Sequence, residues 1–253
     1  MTTPSTTDLL KYAELQMAAE ALLVADEVTG QLKPDLQRAL IVGNNHASHF
    51  TSPEAEKFLK HWRILDQQAN TETGFSGTLF ECILDDPLTG AKTGEKVISF
   101  RSTEFIDDAA RDNQATNTFE IADHGLAFGQ ISDMEVWYKR LKDQGKITDP
   151  TQLSVTGYSL GGHLATAFNL LRTEENPPIA LKNVVTFNGA GMGTWDTPTL
   201  SAAIKRFNDL HNLADGESAK GRWFKSGPRN QKIKRLSETR AFFLYLVHFR
   251  RHA

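Results

Sequence analysis

The sequence predicts an α/β fold: one domain with a mostly parallel sheet flanked by helices. Three observations point there. From residue 131 onward the patterns run helix, strand, helix, strand, an order that lays consecutive strands parallel. The strands in that alternation, "LSVT" and "NVVTF", are short and apolar, as expected where helices cover both faces of a sheet. Between the first of them and the next helix lies "GYSLGG", a glycine-rich junction that demands close backbone approach.

The elements follow in chain order. Residues 8–24 space Leu9, Tyr12, Leu15, Met17, Ala19, Leu22 and Leu23 at approximate helical period. Ser52-Pro53-Glu54-Ala55-Glu56 is a helix start, with an N-cap hydroxyl, proline in the first turn and acids near the positive end of the dipole. That helix is expected to run to about Gln67. "TGFSGTLFECIL" and "KVISFRST" are rich in β-branched and aromatic residues and flank the turn "DDPLTGAKTGE", so they read as a hairpin-like strand pair. Residues 104–123 are polar and weakly patterned, a loop or a lid. A helix is expected over 131–145, with Met134, Trp137 and Leu141 on one side and Gly145 as its stop. Leu153 to Thr156 is a strand, Leu160 to Arg172 a helix, and Asn183 to Gly191 a strand closed by glycines. The expected organisation is one domain over 1–218, opened by a helical segment over 1–70, and a basic tail over 219–253.

Composition is that of a globular chain, with 40% apolar and 23% charged residues among 253. The single cysteine, Cys82, excludes an internal disulfide framework. The first residues, "MTTPSTTDLLKYAELQ", show neither a basic n-region nor an apolar h-region. The longest apolar run, Ala241 to Val247, is too short to span a bilayer. The expectation is a cytoplasmic location, or export without an N-terminal signal peptide. The net charge of −3 hides an asymmetry: residues 219–253 hold ten basic residues and one acid, Glu238, while the preceding residues hold eighteen basic and thirty acidic ones. Three readings of the tail compete. It is a basic arm for nucleic acid or an anionic membrane, a solvated end outside the fold, or a replacement of the native C-terminus.

The junction "VTGYSLGGH" carries the candidate chemistry. A Gly-X-Ser-X-Gly string arises by chance on the order of 0.1 times in a chain this long, with glycine and serine each near 7% of residues. Here it has the context such a motif needs, a strand before it and a helix after it. Side chains two places either side of Ser159 would collide with neighbouring backbone, so glycine stands there. The turn lifts the Ser159 hydroxyl above the sheet and puts the N–H of Leu160 at a helix N-terminus, where it can stabilise an oxyanion. The bland alternative is a glycine-rich turn with an incidental serine.

Those residues resemble the α/β-hydrolase lipases of the class 3 type, including related bacterial lipases and phospholipases A1. "VTGYSLGGHLATA" is similar to that family's Gly-His-Ser-Leu-Gly-Gly block, with Tyr158 in place of the usual histidine. "KVISFRSTE" looks like the family's strand ending in Phe-Arg-Gly-Thr, with Ser102 in place of glycine. "NVVTFNGAG" resembles the next strand. The resemblance spans roughly residues 74–215. It implies an α/β-hydrolase-like fold, ester hydrolysis through an acyl-enzyme, and Thr103 as an oxyanion-hole donor beside Leu160. It also implies structural roles for His163 and His124.

A serine hydroxyl needs a histidine to take its proton and an acid to orient that histidine. In such a fold the chain order is Ser, then Asp or Glu, then His. Three aspartates follow Ser159 at plausible spacing: Asp215, Asp209 and Asp196, in that order of preference. The resemblance favours Asp215, because "RFNDLHNLADGES" carries an Asn-X-X-Asp pattern with Gly216 to turn the chain. Only His248 and His252 lie beyond Asp215. His248 is the expected base, although it sits in "FLYLVHFRRH", a run that also reads as packed helix or strand. His211 is too close in sequence to Asp215, and His46, His49 and His61 precede the "FRST" block.

Other chemistries find less support. His46 and His49 lack partners at metal-ligand spacing, so no metal is expected. No dinucleotide fingerprint or phosphate loop is present, and no cofactor is expected. Nucleic-acid binding would rest on the tail alone and is not expected. The expected partner is a lipid or small acyl-ester substrate, with peripheral contact to a lipid surface. The competing expectation is a protein of the same fold that lacks a working base and acts as a binding protein or an inactive fragment.

Overall fold

In the computed structural model, residues 5–26, 30–44, 48–102 and 125–212 are described, residues 210–212 by their backbone alone. Helix α1 (Thr6–Ala19) opens the chain, capped by Ser5, whose Oγ accepts the Asp8 N–H while the Asp8 carboxylate accepts the Ser5 N–H. A short antiparallel pair, β1 (Val24–Asp26) and β2 (Gln31–Leu32), precedes α2 (Leu36–Val42). Helix α3 (Ser52–His61) follows, then β3 (Trp62–Gln68), β4 (Gly77–Cys82) and β5 (Lys96–Phe100). Helix α4 (Phe128–Asp143), β6 (Leu153–Tyr158), α5 (Leu160–Thr173), β7 (Asn183–Phe187) and α6 (Leu200–Asn212) complete the described chain. It divides into two compact units, Met1–Arg206 and Phe207–Ala253, and of the second only the end of α6 is described.

The five longer strands form one mixed sheet in the order β3-β4-β5-β6-β7. β3, β4 and β5 pair antiparallel, and β5, β6 and β7 pair parallel. The expected mostly parallel sheet is therefore only half parallel. The antiparallel half includes β3, which stands where the helix from Ser52 is expected to continue. Helix α3 stops at His61 rather than near Gln67, and residues 1–70 are not a purely helical segment. Thr51, not Ser52, caps α3, in a capping box with Glu54. Trp62 to Gln68 leave the helix because β4 offers them a ladder, from Trp62 opposite Cys82 to Gln68 opposite Gly77, broken by one bulge at Leu65. The hairpin-like pair is β4 and β5, as expected. Helix α4 begins three residues before its expected start and turns off at Gly145, whose φ is +68°.

Alternation along each strand feeds two cores. On one face, Phe80, Val97 and Val185 join Tyr12, Leu15, Leu40, Phe58 and Trp62 in the apolar cluster beneath α1, α2 and α3. On the other, Phe100 meets Phe75 and Phe168, and Phe75 meets Trp137. Helix α4 is tied down by Asp66 of β3. That carboxylate accepts Trp137 Nε1–H at 2.9 Å and pairs with Arg140 and Lys146.

Buried Gln67 joins the first residues to the sheet. Its Oε1 accepts the N–H groups of Leu23 and Val24, and its Nε2 donates to the Ala21 carbonyl and to Thr78 Oγ1. Removing it leaves several buried backbone groups unpaired, at about 1–3 kcal/mol for each group that water cannot reach. We expect Gln67→Ala to destabilise the fold by about 3 kcal/mol, read as a shift of the urea unfolding midpoint. A loss below about 1 kcal/mol would show that the segment is held in another way.

Candidate active site

Strand β6 runs between β5 and β7, parallel to both, so its C-terminal end opens where ligands of open α/β sheets are bound. Ser159 stands between Tyr158, the last residue of β6, and Leu160, the first of α5. Its φ of 52° and ψ of −115° are strained for a residue with a side chain, at a cost of order 1–3 kcal/mol. Four backbone bonds enforce that conformation. The Ser159 N–H donates to the Phe187 carbonyl, and the Ser159 carbonyl accepts the N–H groups of Gly162, His163 and Ala190. The hydroxyl caps no helix N–H, and the residue is half-buried at the strand end. The backbone thus holds the side chain in place while leaving its oxygen unused as a cap.

The glycines are required by contact distance. A Cβ on Gly157 would lie 2.2 Å from the Gly161 carbonyl oxygen, and one on Gly161 would lie 2.2 Å from the Phe100 carbonyl oxygen. A Cβ on Gly162 would lie 2.6 Å from the Gly189 Cα. The turn is wedged between the end of β5 and the loop after β7. Leu160 has a buried side chain and begins α5, so its N–H belongs to the helix end that carries partial positive charge.

His163 locks two neighbouring loops. Its Nε2 accepts the Ala127 N–H at 3.3 Å, and its Nδ1 lies 3.0 Å from the Gly191 carbonyl. One ring nitrogen must accept and the other must donate, so the ring is neutral with its proton on Nδ1. Burial pushes its pKa below the ordinary imidazole value, and the bond to Gly191 partly opposes that shift. Both nitrogens are engaged by backbone, which fits a structural role. The same two loops are joined by the Gly193 N–H donating to the Gly125 carbonyl.

At the end of β5, Arg101 is buried and ion-paired with Glu20, with Arg101 Nε 3.8 Å from Glu20 Oε2. The Ser102 N–H donates to Glu20 Oε1 at 2.9 Å. Sequence reasoning did not single out Glu20. The available signal was a lone acid among Ala18, Ala19, Ala21, Leu22 and Leu23.

Of the expected site residues, the structure describes Ser159 and Leu160. Thr103, Asp215 and His248 lie outside the described residues, as do His252 and the expected lid over 104–123. Of the other candidate acids, Asp196 pairs with Arg206 at 3.0 Å, and Asp209 is exposed on α6. His49 is exposed, and His61 Nδ1 lies 3.0 Å from the Leu84 carbonyl. Cys82 is buried, donates to the Leu84 carbonyl, and has its thiol pKa raised by burial, so it is no competing nucleophile. Among the described residues, no three His, Cys, Asp or Glu side chains gather as a metal site. Among them, too, no helix is long and apolar enough to cross a membrane.

Compared with models of known protein families and with curated proteins, the chain matches none.

Gly161→Ala is expected to cost about 3 kcal/mol, because the new methyl meets backbone rather than a movable side chain. Gly191→Ala meets nothing within 4 Å and should stay within about 0.5 kcal/mol of wild type. Equal effects in thermal melts would contradict the packing described. The His163 ring supplies a pH prediction. Its folded pKa is depressed, so the unfolded chain binds more protons below the ordinary value of about 6.5. Its contribution is therefore complete above that pH and is lost as pH falls toward the folded pKa. Comparing unfolding midpoints at pH 7.5 and 5.5, His163→Gln should show a smaller acid loss than wild type; identical losses would exclude this role.

Proposed function

We propose that the protein is a serine hydrolase of carboxylic esters, with an α/β-hydrolase-like fold and Ser159 as its nucleophile. The observation that carries this reading is the strained Ser159 turn between the C-terminal end of a parallel strand and a helix N-terminus. Strain of that kind, reached only with three glycines, supports a chemical use for the Ser159 hydroxyl, next in sequence to a helix N-terminal N–H that could stabilise an oxyanion. An incidental serine would be relieved by glycine at no chemical loss.

In the proposed mechanism Ser159 Oγ attacks the ester carbonyl while a histidine takes its proton. His248 is assigned that role and Asp215 the role of orienting it. The tetrahedral oxyanion is held by the Leu160 N–H and by Thr103. Collapse expels the alcohol, which receives the proton from the histidine, and leaves an acyl-serine. Water, deprotonated by the same histidine, then releases the acid and restores Ser159. The substrate class is a lipid or short acyl ester, phospholipid included, met at a lipid surface or free.

The test is turnover of p-nitrophenyl esters together with labelling by a fluorophosphonate. Wild type should react in both assays, and Ser159→Ala should lose roughly a thousandfold or more of kcat and all labelling. The rate should rise with pH through about 6.5 as the base loses its proton. Activity kept by His248→Ala would reassign the base. A wild-type protein that neither hydrolyses nor labels would favour a binding protein without a working base.

A further inference from the structure

Among the described residues, only Ser159 and Asn188 adopt a positive φ without being glycine, at 52° and 45°. The two are neighbours across the ends of β6 and β7. The Ser159 N–H donates at 3.0 Å to the carbonyl of Phe187, the residue before Asn188. The Ser159 carbonyl accepts the N–H of Ala190, just beyond Asn188, also at 3.0 Å. Hydrogen bonds from both sides of the Ser159 backbone therefore bracket Asn188. The register of the two strands runs up to Tyr158 opposite Phe187. Ser159 and Asn188 are the next residues, at the C-terminal ends where open α/β sheets bind their ligands.

Backbone conformation accounts for only part of this choice of residue. Asparagine enters the left-handed region more readily than other side chains do, yet glycine enters it at no steric cost. An asparagine that serves a turn commonly hydrogen-bonds a nearby backbone group. The Asn188 carboxamide does not: it is exposed and has no hydrogen-bond partner. Tyr158, the residue before the serine, is 42% exposed, and its phenol has no partner either. Two polar side chains, one from each strand end, thus flank one strained serine with their hydrogen-bonding groups unused.

We propose that Asn188 and Tyr158 form a subsite for the alcohol part of the ester and select alcohols that keep a free hydroxyl near the scissile bond, such as partial glycerides or sugar esters. This rests on the hydrolase reading above, and of its catalytic groups it needs Ser159 alone. A carboxamide and a phenol each donate and accept hydrogen bonds, which matches a hydroxyl. Neither brings the positive charge that recognition of a phosphate favours. The acyl chain of a lipid ester is hydrocarbon and gives such groups nothing to bond, so the hydroxyls they match belong to the alcohol. Both residues contact substrate, and neither moves a proton.

The experiment compares glyceryl monobutyrate with propyl butyrate, which has the same carbon skeleton without the free hydroxyls, using the full-length chain. Wild type should prefer the glyceryl ester by about tenfold or more in kcat/KM. Asn188→Gly suits the positive φ and removes only the carboxamide, so it should melt close to wild type while the glyceryl-to-propyl ratio falls about tenfold. Tyr158→Phe keeps the ring and removes the hydroxyl, and should lower the same ratio about threefold. It also carries the test if Asn188→Gly does not fold. A ratio unchanged in the folded variants overturns the subsite, even where both esters slow equally, since a purely structural effect would do that. A wild type that hydrolyses both esters equally well overturns the subsite alone. A wild type that turns over neither ester and takes no fluorophosphonate label overturns the hydrolase reading and the subsite together.

Discussion

The architecture around Ser159 depends on backbone touching backbone. Gly157 faces the Gly161 carbonyl, Gly161 faces the Phe100 carbonyl, and Gly162 faces Gly189, each without room for a methyl group. These contacts bring the end of β5, the first turn of α5 and the loop after β7 together at one serine. The positive φ of Ser159 is a consequence. The chain must turn from strand to helix in the space left between two other segments, and four backbone hydrogen bonds hold it there. Close-packed backbone transmits displacement rather than absorbing it, so every element that fixes β5 or β7 also fixes the serine.

The N-terminal segment belongs to that fixing apparatus. Gln67 seats residues 21–24 against β3 and β4, and Glu20 ties the end of α1 to Ser102. Tyr12 of α1 donates to Ser154 of β6. Lys11 is buried with Glu95 at 3.0 Å, satisfying two charges that could not remain unpaired in the interior. These buried polar groups are paired within the fold. Their energetic role is specificity of docking more than net stabilisation, since removing either partner strands the other.

Much of this was legible along the chain because it is local. Periodicity marked α1, α4 and α5, and the apolar runs marked β4 to β7. The Gly-X-Ser-X-Gly spacing marked the turn before any contact was known. The reading failed where the decision is non-local. Residues 62–68 continue the pattern of α3 well enough to look helical, yet become β3 because β4 offers them hydrogen bonds. The parallel share of the sheet was overestimated for the same reason, since an antiparallel edge strand is invisible until its partner is known. Glu20 escaped notice because its partner is 82 residues away.

What the sequence determined by itself is the chemistry on offer: a serine flanked by glycines at a strand-to-helix junction, a short list of acids and histidines, and an α/β order of elements. Those properties follow from residue type and spacing over a few neighbours. Only the tertiary structure decided that Ser159 is strained, that His163 spends both ring nitrogens on backbone, and that a buried glutamate from the first helix reaches the end of β5. Strain, tautomer and burial are set by the atoms packed around a residue, and those atoms come from distant parts of the chain.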